Sequence, residues 1–198
     1  MSPSPAPVPG SPGAPGSSGS PGSAAPRQAG PDDAWDLTQL EKAANLVGLA
    51  HVFPPSRFPY PEGHVLARWA IVLDSPDVTT LVWPADPALV DQLQPPTRLL
   101  FTDQRTRFVA FAAYDDNSLR HLGVHPALWG TGLGRVAVEA AVSGIKARGS
   151  GEAFLWCLVE NVHARRLYER LGWIPTGARQ EAEFPPHPEE MEYSLPLR

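Results

Sequence analysis

The chain is organised around one stretch, VHPALWGTGLGR at positions 124–135, which joins an apolar segment to an amphipathic one. Positions 119–124 favour a strand, and positions 132–148 favour a helix because their apolar residues recur every three or four positions. Between them lie three glycines, Gly130, Gly132 and Gly134. Glycines at a helix start let backbone N–H groups converge, and the positive end of the helix stabilises an anion there. The pattern predicts a phosphate-binding turn, with a merely tightly packed turn as the alternative.

The glycine spacing differs from that of the common nucleotide-binding turns. The dinucleotide fingerprint requires a third glycine three residues after the second, and here the third glycine comes two residues after it. The stretch also lacks the Gly-Lys-Ser/Thr of nucleoside-triphosphate loops. Gly123 lies inside the predicted strand, just before the turn. A glycine within a strand marks a bulge or a place where a ligand approaches the backbone closely.

The remaining pattern predicts a mixture of strands and helices. Strands are expected at 78–83, 107–114, 119–124 and 154–159, with a last one near 190–195. Helices are expected at 36–50, 65–73 and 132–148 and directly after Asn161, which is placed to cap its helix, while 88–93 is expected to form a helical turn. The proline-rich loop 51–63 carries Phe53, Phe58 and Tyr60 and either caps the core or lines a pocket. This order predicts an α/β fold with a mixed sheet and helices on its faces.

The N-terminal part has a different composition. Of positions 1–31, 27 are Pro, Gly, Ser or Ala. Such a segment buries too little apolar surface to offset the conformational entropy of ordering it. We therefore expect a disordered tail at 1–31 that is dispensable for chemistry, followed by one domain at 32–198. The alternative is that the tail is a ligand for a proline-binding module.

Charge and composition exclude several classes of partner. The net charge of −5 gives no electrostatic case for nucleic acid or for an anionic membrane surface. The chain has no secretory leader pattern and no apolar run long enough to span a bilayer, so we expect a cytoplasmic location. Its single cysteine, Cys157, has no partner at metal-ligand spacing, and we expect no metal.

Two motifs carry a family resemblance. They are LGVHPALWGTGLGR at 122–135 and LWCLVENVHARRLYERLGW at 155–173. Together, and in this order, they resemble the acyl-CoA-binding core of the GNAT acetyltransferases. The resemblance implies a GNAT-like acyl-CoA N-acyltransferase fold, with splayed central strands and helices on both faces, and acetyl-CoA as the co-substrate. The chain departs from the family at Trp129, where Arg or Gln is usual, and in having no evident first strand at 26–35.

The resemblance also implies roles for individual residues. Backbone groups of Leu122, Gly123 and Val124 would bind the pantetheine arm, and Asn161 would contact the same arm. The turn would hold the pyrophosphate through Trp129, Gly130, Thr131, Gly132, Leu133, Gly134 and Arg135. Tyr168 would act as the general acid that protonates the departing thiolate.

An amine acceptor also requires a base, because an alkylamine is almost fully protonated at neutral pH. Glu160, next to Asn161, and His121, on the strand before the turn, are the two candidates; an exposed glutamate and a packed histidine are the alternatives. The expected function is transfer of the acetyl group of acetyl-CoA to a primary amine of a small molecule or peptide, by a monomer or homodimer. The competing functions are a non-catalytic acyl-CoA sensor or scaffold, and an interaction protein whose tail recruits partners.

Overall fold

The computed structural model describes residues 25–86 and 107–198. The helical turn expected at 88–93, and positions 1–24 of the expected tail, lie outside the described residues.

The described residues form helices and strands close to those expected. The helices are α1 (Ala34–Gly48), α2 (Glu62–Asp74), α3 (Leu133–Ala147) and α4 (Val162–Arg170). The strands are β1 (Arg27–Gln28), β2 (Thr79–Pro84), β3 (Phe108–Tyr114), β4 (Leu119–Val124), β5 (Glu152–Leu158), β6 (Ile174–Glu181) and β7 (Glu189–Pro196). Short 3-10 helices cover Pro31–Asp33 and Pro126–Leu128. None of these helices combines the length and the apolar character needed to cross a bilayer.

The strands form two antiparallel groups that meet between β4 and β5. One group has the order β1-β2-β3-β4, and the other has the order β5-β7-β6. Within the described residues, the pairing between the groups is a single parallel bridge from Ser118 to Phe154, at the start of β4. There the Phe154 N–H donates to the Asn117 carbonyl at 2.8 Å. Beyond this point β4 and β5 separate, which confirms the expected splay of the central strands.

Helices cover both faces of the sheet, as expected. On one face α1 and α2 bury Leu37, Leu40 and Trp69 against Phe111 and other residues of β2 and β3. On the other face α3 and α4 pack over β3, β5 and β7. The two faces bury separate clusters of apolar side chains, so the sheet is covered on both sides and the gap between β4 and β5 runs between the clusters.

The folded part begins earlier than the sequence suggested. Arg27 and Gln28, expected in the tail, pair with Val82 and Leu81 of β2. The Arg27 guanidinium also makes a two-point ion pair with the buried Asp33 carboxylate, with both N–O distances 2.8 Å. The expected boundary after position 31 is therefore corrected to a position before Arg27. This short pairing also supplies the first strand that the composition had hidden.

Candidate active site

The edge of β4 that faces the gap carries backbone groups that pair with no other strand in residues 25–86 and 107–198. The His125 N–H donates to the Val109 carbonyl at 2.8 Å, and Gly123 lies opposite Phe111. In an antiparallel ladder, bonded and non-bonded pairs alternate, so the N–H and C=O of Gly123 point toward β3. Those of Leu122 and Val124 point away from β3, into the gap. Two of the three residues expected to bind the pantetheine arm thus present their backbone to the splay.

Trp129 fixes the glycine turn in place. Its indole N–H donates to the Val124 carbonyl at 2.8 Å, and its ring stacks on His163 with 5.5 Å between centroids. A Cβ on Gly48 would lie 3.3 Å from this ring, so the end of α1 also packs closely on it. Trp129 therefore joins β4, α1 and α4 at the start of the turn and leaves the Leu122 N–H and C=O and the Val124 N–H open along the edge.

The turn itself exposes backbone. Gly130 and Gly132 have φ angles of 81° and 93°, in the left-handed region that favours glycine, and a Cβ on either would meet nothing within 4 Å. Gly132 precedes α3 and provides no side-chain cap. The first N–H groups of a helix have no acceptor within the helix. They are available here to an anion, and the helix dipole favours one.

The other residues of the turn have local partners. The Thr131 hydroxyl donates to the Leu128 carbonyl at 2.8 Å, and the Arg135 Nε donates to Glu139 at 2.7 Å. Leu133 is buried in the core, so only its backbone can reach a ligand. A Cβ on Gly134 would lie 3.3 Å from Leu167. The close approach of α3 to α4 thus explains this glycine without any ligand.

Asn161 caps α4 as the sequence predicted. Its Oδ1 accepts a hydrogen bond from the Ala164 N–H at 3.2 Å. Its amide NH₂ has no hydrogen-bond partner within residues 25–86 and 107–198, so it can still donate to a ligand.

Tyr168 lies on the inner face of α4. The residue is 7% exposed and its ring packs edge-on against Trp173, with 6.1 Å between centroids. No residue in the described part of the chain bonds its hydroxyl. Burial raises the pKa of the Tyr168 phenol, so the group keeps its proton at neutral pH and can act as a donor.

A hydrogen-bonded cluster holds the helix that carries Tyr168. The Arg165 guanidinium donates to the Val159 carbonyl at 3.0 Å and to the Tyr193 hydroxyl at 3.1 Å. The Tyr193 hydroxyl in turn donates to Glu169 at 2.9 Å. These bonds tie α4 to the end of β5 and to β7, which limits rotation of the helix about its axis.

The two candidate bases are in different environments. His121 packs against Trp69, with 5.2 Å between ring centroids, and burial lowers its pKa to about 3, with the charges of Arg68 and Arg120 adding to the effect. It is neutral at pH 7 but only weakly basic. The Glu160 side chain is exposed, and its backbone carbonyl accepts a hydrogen bond from His51 Nε2 at 3.1 Å. The structure does not bring the two side chains to one place, since His121 lines the cavity described next and Glu160 does not.

A cavity of about 750 Å³ opens on the α1 and α2 side of the splayed strands. Its walls include the loop between α1 and α2, with Phe53, Phe58 and Tyr60, and His121 of β4. The loop at 51–63 thus lines a pocket, one of its two expected roles. The volume is in the range of small-molecule sites, which is roughly 300–1,000 Å³.

Several cavity residues had not been identified from the sequence, and three of them bear on the chemistry of the cavity. These are Glu41 on α1, Trp156 on β5 and Glu190 on β7. The alternation of side chains along β5 could have indicated that Trp156 faces away from the core. Leu155 and Cys157 are buried in the core, while Trp156 is 36% exposed on the other face. Nothing in the local sequence distinguishes Glu41 or Glu190 from other surface carboxylates.

Comparisons with known proteins agree with this geometry. Residues 51–173 match the model of the acetyltransferase (GNAT) family. A segment of 64 residues is 38% identical to the mycothiol acetyltransferase of Beutenbergia cavernae; it covers 32% of this chain and 22% of that protein, so the match spans about a fifth of the relative.

Solved structures share the fold at low sequence identity. A GCN5-related N-acetyltransferase from Rhodopseudomonas palustris superposes with a TM-score of 0.64 at 16% identity, over 87% of this chain and 95% of that one. The ribosomal-protein-S18-alanine N-acetyltransferase of Escherichia coli gives 0.58 at 18% identity, over 87% and 93%. The yncA protein of Salmonella typhimurium, solved with its cofactor acetyl-CoA, gives 0.56 at 16% identity, over 88% and 94%. The chain belongs to the acetyltransferase (GNAT) family.

Proposed function

We propose that the protein transfers the acetyl group of acetyl-CoA to the nitrogen of a primary amine. The observation that carries the proposal is the open edge of β4 at Leu122 and Val124, which leads directly into the uncapped start of α3. One edge thus offers peptide-like hydrogen bonds, and the next element offers an anion site. This sequence of groups fits the amide-containing arm and the pyrophosphate of a coenzyme A thioester, and the fold relative from Salmonella typhimurium was solved with acetyl-CoA.

Each part of the site has a separate role in binding. The backbone of Leu122 and the Val124 N–H bond the pantetheine amides. The N–H groups at the start of α3, directly after Gly132, receive the pyrophosphate, where the open space around Gly130 and Gly132 leaves room for phosphate oxygens. The free NH₂ of Asn161 donates to the arm from the other side of the gap.

Acetyl-CoA supplies an activated acetyl group, and the transfer forms a C–N bond while the C–S bond breaks. The ammonium first loses a proton, and its nitrogen lone pair then attacks the acetyl carbon. The electron pair of the C–S bond leaves on sulfur, which takes the proton of the Tyr168 hydroxyl. A second proton, released from the nitrogen, restores the phenol through water. The products are an amide, a thiol and one proton released to solvent.

Two side chains are candidates for the base. His121 lines the cavity, but with a pKa of about 3 it accepts a proton from an ammonium only weakly. Glu160 would have to act from outside the cavity lining, through water. Between the two, the location favours His121.

The test has two stages. Calorimetric titration of the intact protein with acetyl-CoA is expected to show saturable binding. A panel of simple amines, aminoglycosides and peptides is then followed by thiol release, and mass spectrometry is expected to show one N-acetylated amine for each thiol formed. Binding without transfer to any amine would support the sensor or scaffold function instead, and absence of binding would contradict both.

A further inference from the structure

The cavity beside the gap between β4 and β5 has a lining that limits which amine can bind there. This inference rests on the function proposed above. Side chains alternate across β4, so Leu122 and Val124 pack toward α3 while His121 faces α2. On β5, Trp156 and Leu158 face the cavity. The gap between the two strands therefore connects the proposed thioester position with the cavity, and an amine seated there lies beside the open edge of β4.

The cavity has aromatic walls on several sides. Rings come from the α1–α2 loop with Phe53, Phe58 and Tyr60, from β5 with Trp156, and from the β6–β7 connection with Phe184. Trp156 is one of the largest exposed apolar side chains of the described residues. Aromatic rings bury apolar bodies, and their faces also attract cations. This lining suits an amine attached to an aromatic or similarly flat apolar group.

The carboxylates of the lining differ in whether their charge is balanced. Glu41 accepts from Arg68 at 2.5 Å and from the Trp69 indole at 2.9 Å, whereas the exposed Glu183 lies 3.4 Å from His64, which balances its charge only when the imidazole is protonated. Glu190 instead accepts a hydrogen bond from the neutral Gln180 amide at 2.8 Å, and it forms no ion pair within the described residues. It is half-buried and lies opposite Leu158 on the cavity face. Glu181 also lines the cavity without an ion pair among the described residues, but its side chain is exposed. Glu190 is thus the half-buried, positioned carboxylate of this cavity that lacks an ion pair in the described part of the chain.

Two further side chains of the lining limit the kind of amine that the cavity can accept. Arg57 also lines the cavity; its guanidinium lies over the Phe58 ring, 5.2 Å from the centroid, without an ion-pair partner in the described part of the chain. A free positive charge disfavours ligands with many ammonium groups. The Tyr60 hydroxyl is shielded from solvent on the cavity wall, where burial, together with the charge of the neighbouring Glu41, raises its pKa. It stays protonated at neutral pH and therefore adds a neutral polar group, not a charge, to the lining.

We propose that this cavity binds the acceptor and that the acceptor is an arylalkyl primary monoamine. Its ammonium pairs with the Glu190 carboxylate, and its ring lies against Trp156 and the aromatic side chains of the α1–α2 loop. Glu190 and Trp156 are therefore specificity-determining residues, one for the charge of the acceptor and the other for its ring.

The experiment compares phenethylamine, n-butylamine and spermidine as acceptors at saturating acetyl-CoA. The value of kcat/KM for phenethylamine is expected to exceed those of the other two by about tenfold or more. Contact between its ring and Trp156 favours it over n-butylamine, and the positive charge of Arg57 disfavours the several ammonium groups of spermidine. Trp156→Ala should bring phenethylamine down to the level of n-butylamine. Glu190→Gln should raise KM for both monoamines by about tenfold with a smaller change in kcat.

Trp35→Ala is the matched control, because Trp35 is an exposed tryptophan on α1 outside the cavity lining, and it should leave all three amines unchanged. Acetyl-CoA titration of every variant separates the two levels of the account. If acetyl-CoA does not bind, or if no amine is acetylated, the proposed function fails and this inference fails with it. If amines are acetylated but spermidine or n-butylamine matches phenethylamine, if Trp156→Ala keeps the preference for phenethylamine, or if Glu190→Gln keeps the parent KM, the acceptor assignment alone is overturned.

Discussion

The ring of Phe111 occupies the space that a side chain at Gly123 would need. A Cβ placed on Gly123 would lie 2.3 Å from Cε1 of Phe111, its partner across the β3–β4 ladder. Gly123 had suggested a bulge or a close ligand approach, and the structure provides a packing reason for the same glycine. Leu122 and Val124, on either side of it, carry the backbone groups that face the gap.

Gly123→Ala is expected to destabilise the fold, because the Phe111 ring must move within a packed cluster that includes Trp69. The expected loss is about 1–3 kcal/mol in the free energy of unfolding. Urea unfolding measures it. Adding Phe111→Leu should recover part of the loss, and an unchanged midpoint for the single variant would show that the ring moves aside at no cost.

Two truncations test the corrected start of the domain. Deleting 1–31 removes β1 and the Arg27 partner of Asp33, whereas deleting 1–24 leaves both. The longer deletion leaves a buried carboxylate with weaker compensation and should lower stability by at least about 1–3 kcal/mol. The shorter deletion is the control and should preserve both stability and acetyl transfer. Equal unfolding midpoints for the two would return the boundary to position 31.

Acid sensitivity follows from the same ion pair. Hydrogen bonds from Arg27 hold the pKa of Asp33 below its usual value despite burial. A carboxylate with a depressed folded pKa stabilises the protein above its unfolded pKa of about 3.9, and this contribution is lost as pH falls through the lower folded value. Arg27→Ala should therefore reduce stability at neutral pH and flatten its decline below about pH 4.

Urea unfolding over a series of pH values checks this expectation. Arg135→Ala is the control, because the Arg135–Glu139 pair is largely exposed and such pairs contribute about 0–1 kcal/mol. Parallel pH profiles for Arg27→Ala and the parent protein would contradict the assigned role of Asp33.

The glycine turn can be tested with two glycines of the same backbone geometry. Gly132 and Gly149 have φ angles of 93° and 94°, and a Cβ on either meets nothing within 4 Å, but they flank opposite ends of α3. Alanine at either should cost about 1 kcal/mol of strain. Only Gly132→Ala should weaken acetyl-CoA binding, by about tenfold or more, because its Cβ intrudes where phosphate oxygens lie. Calorimetry showing equal affinity in both variants would contradict the phosphate site and leave the left-handed backbone conformation as the reason for glycine at position 132.

Gly134 is less suitable than Gly132 for this test. A larger side chain there would press on Leu167 of α4, so lost binding could not be separated from lost packing.

The sequence pattern predicted those helices and strands whose formation depends mainly on neighbouring residues. The strand, glycine turn and helix around 119–148 follow from apolar period and backbone freedom, and Asn161 caps α4 as its residue type suggests. β6 was not predicted because all its residues are exposed, so no alternation of apolar and polar side chains marks it. β1 has only two residues and is held by pairing with β2 and by Asp33, which are tertiary causes.

The sequence indicates the parts of the candidate site that depend on local backbone geometry, and it does not indicate the parts where side chains distant in the sequence meet. Gly130 and Gly132 follow from the backbone conformation of the turn, and Asn161 follows from its position as the cap of α4. The cavity brings Glu41 of α1, Trp156 of β5 and Glu190 of β7 together from across the chain. The environment of His121 was equally hidden, because its burial depends on the packing of α2 against β4.

The most direct test of the catalytic account is a single-turnover rate of acetyl transfer, from the preformed acetyl-CoA complex to the best amine of the panel, for Tyr168→Phe. Tyr114→Phe serves as control, since Tyr114 is similarly buried but its hydroxyl packs on Gly144 of α3, away from the gap. If the unbonded, protonated Tyr168 hydroxyl donates to the departing sulfur, the rate should fall by about 10²-fold, the low end for a lost general acid because a thiolate is a tolerable leaving group. Acetyl-CoA affinity and the Tyr114→Phe rate should stay at parent values. A Tyr168→Phe rate equal to that of the parent enzyme would contradict the account and leave Tyr168 as a packing residue.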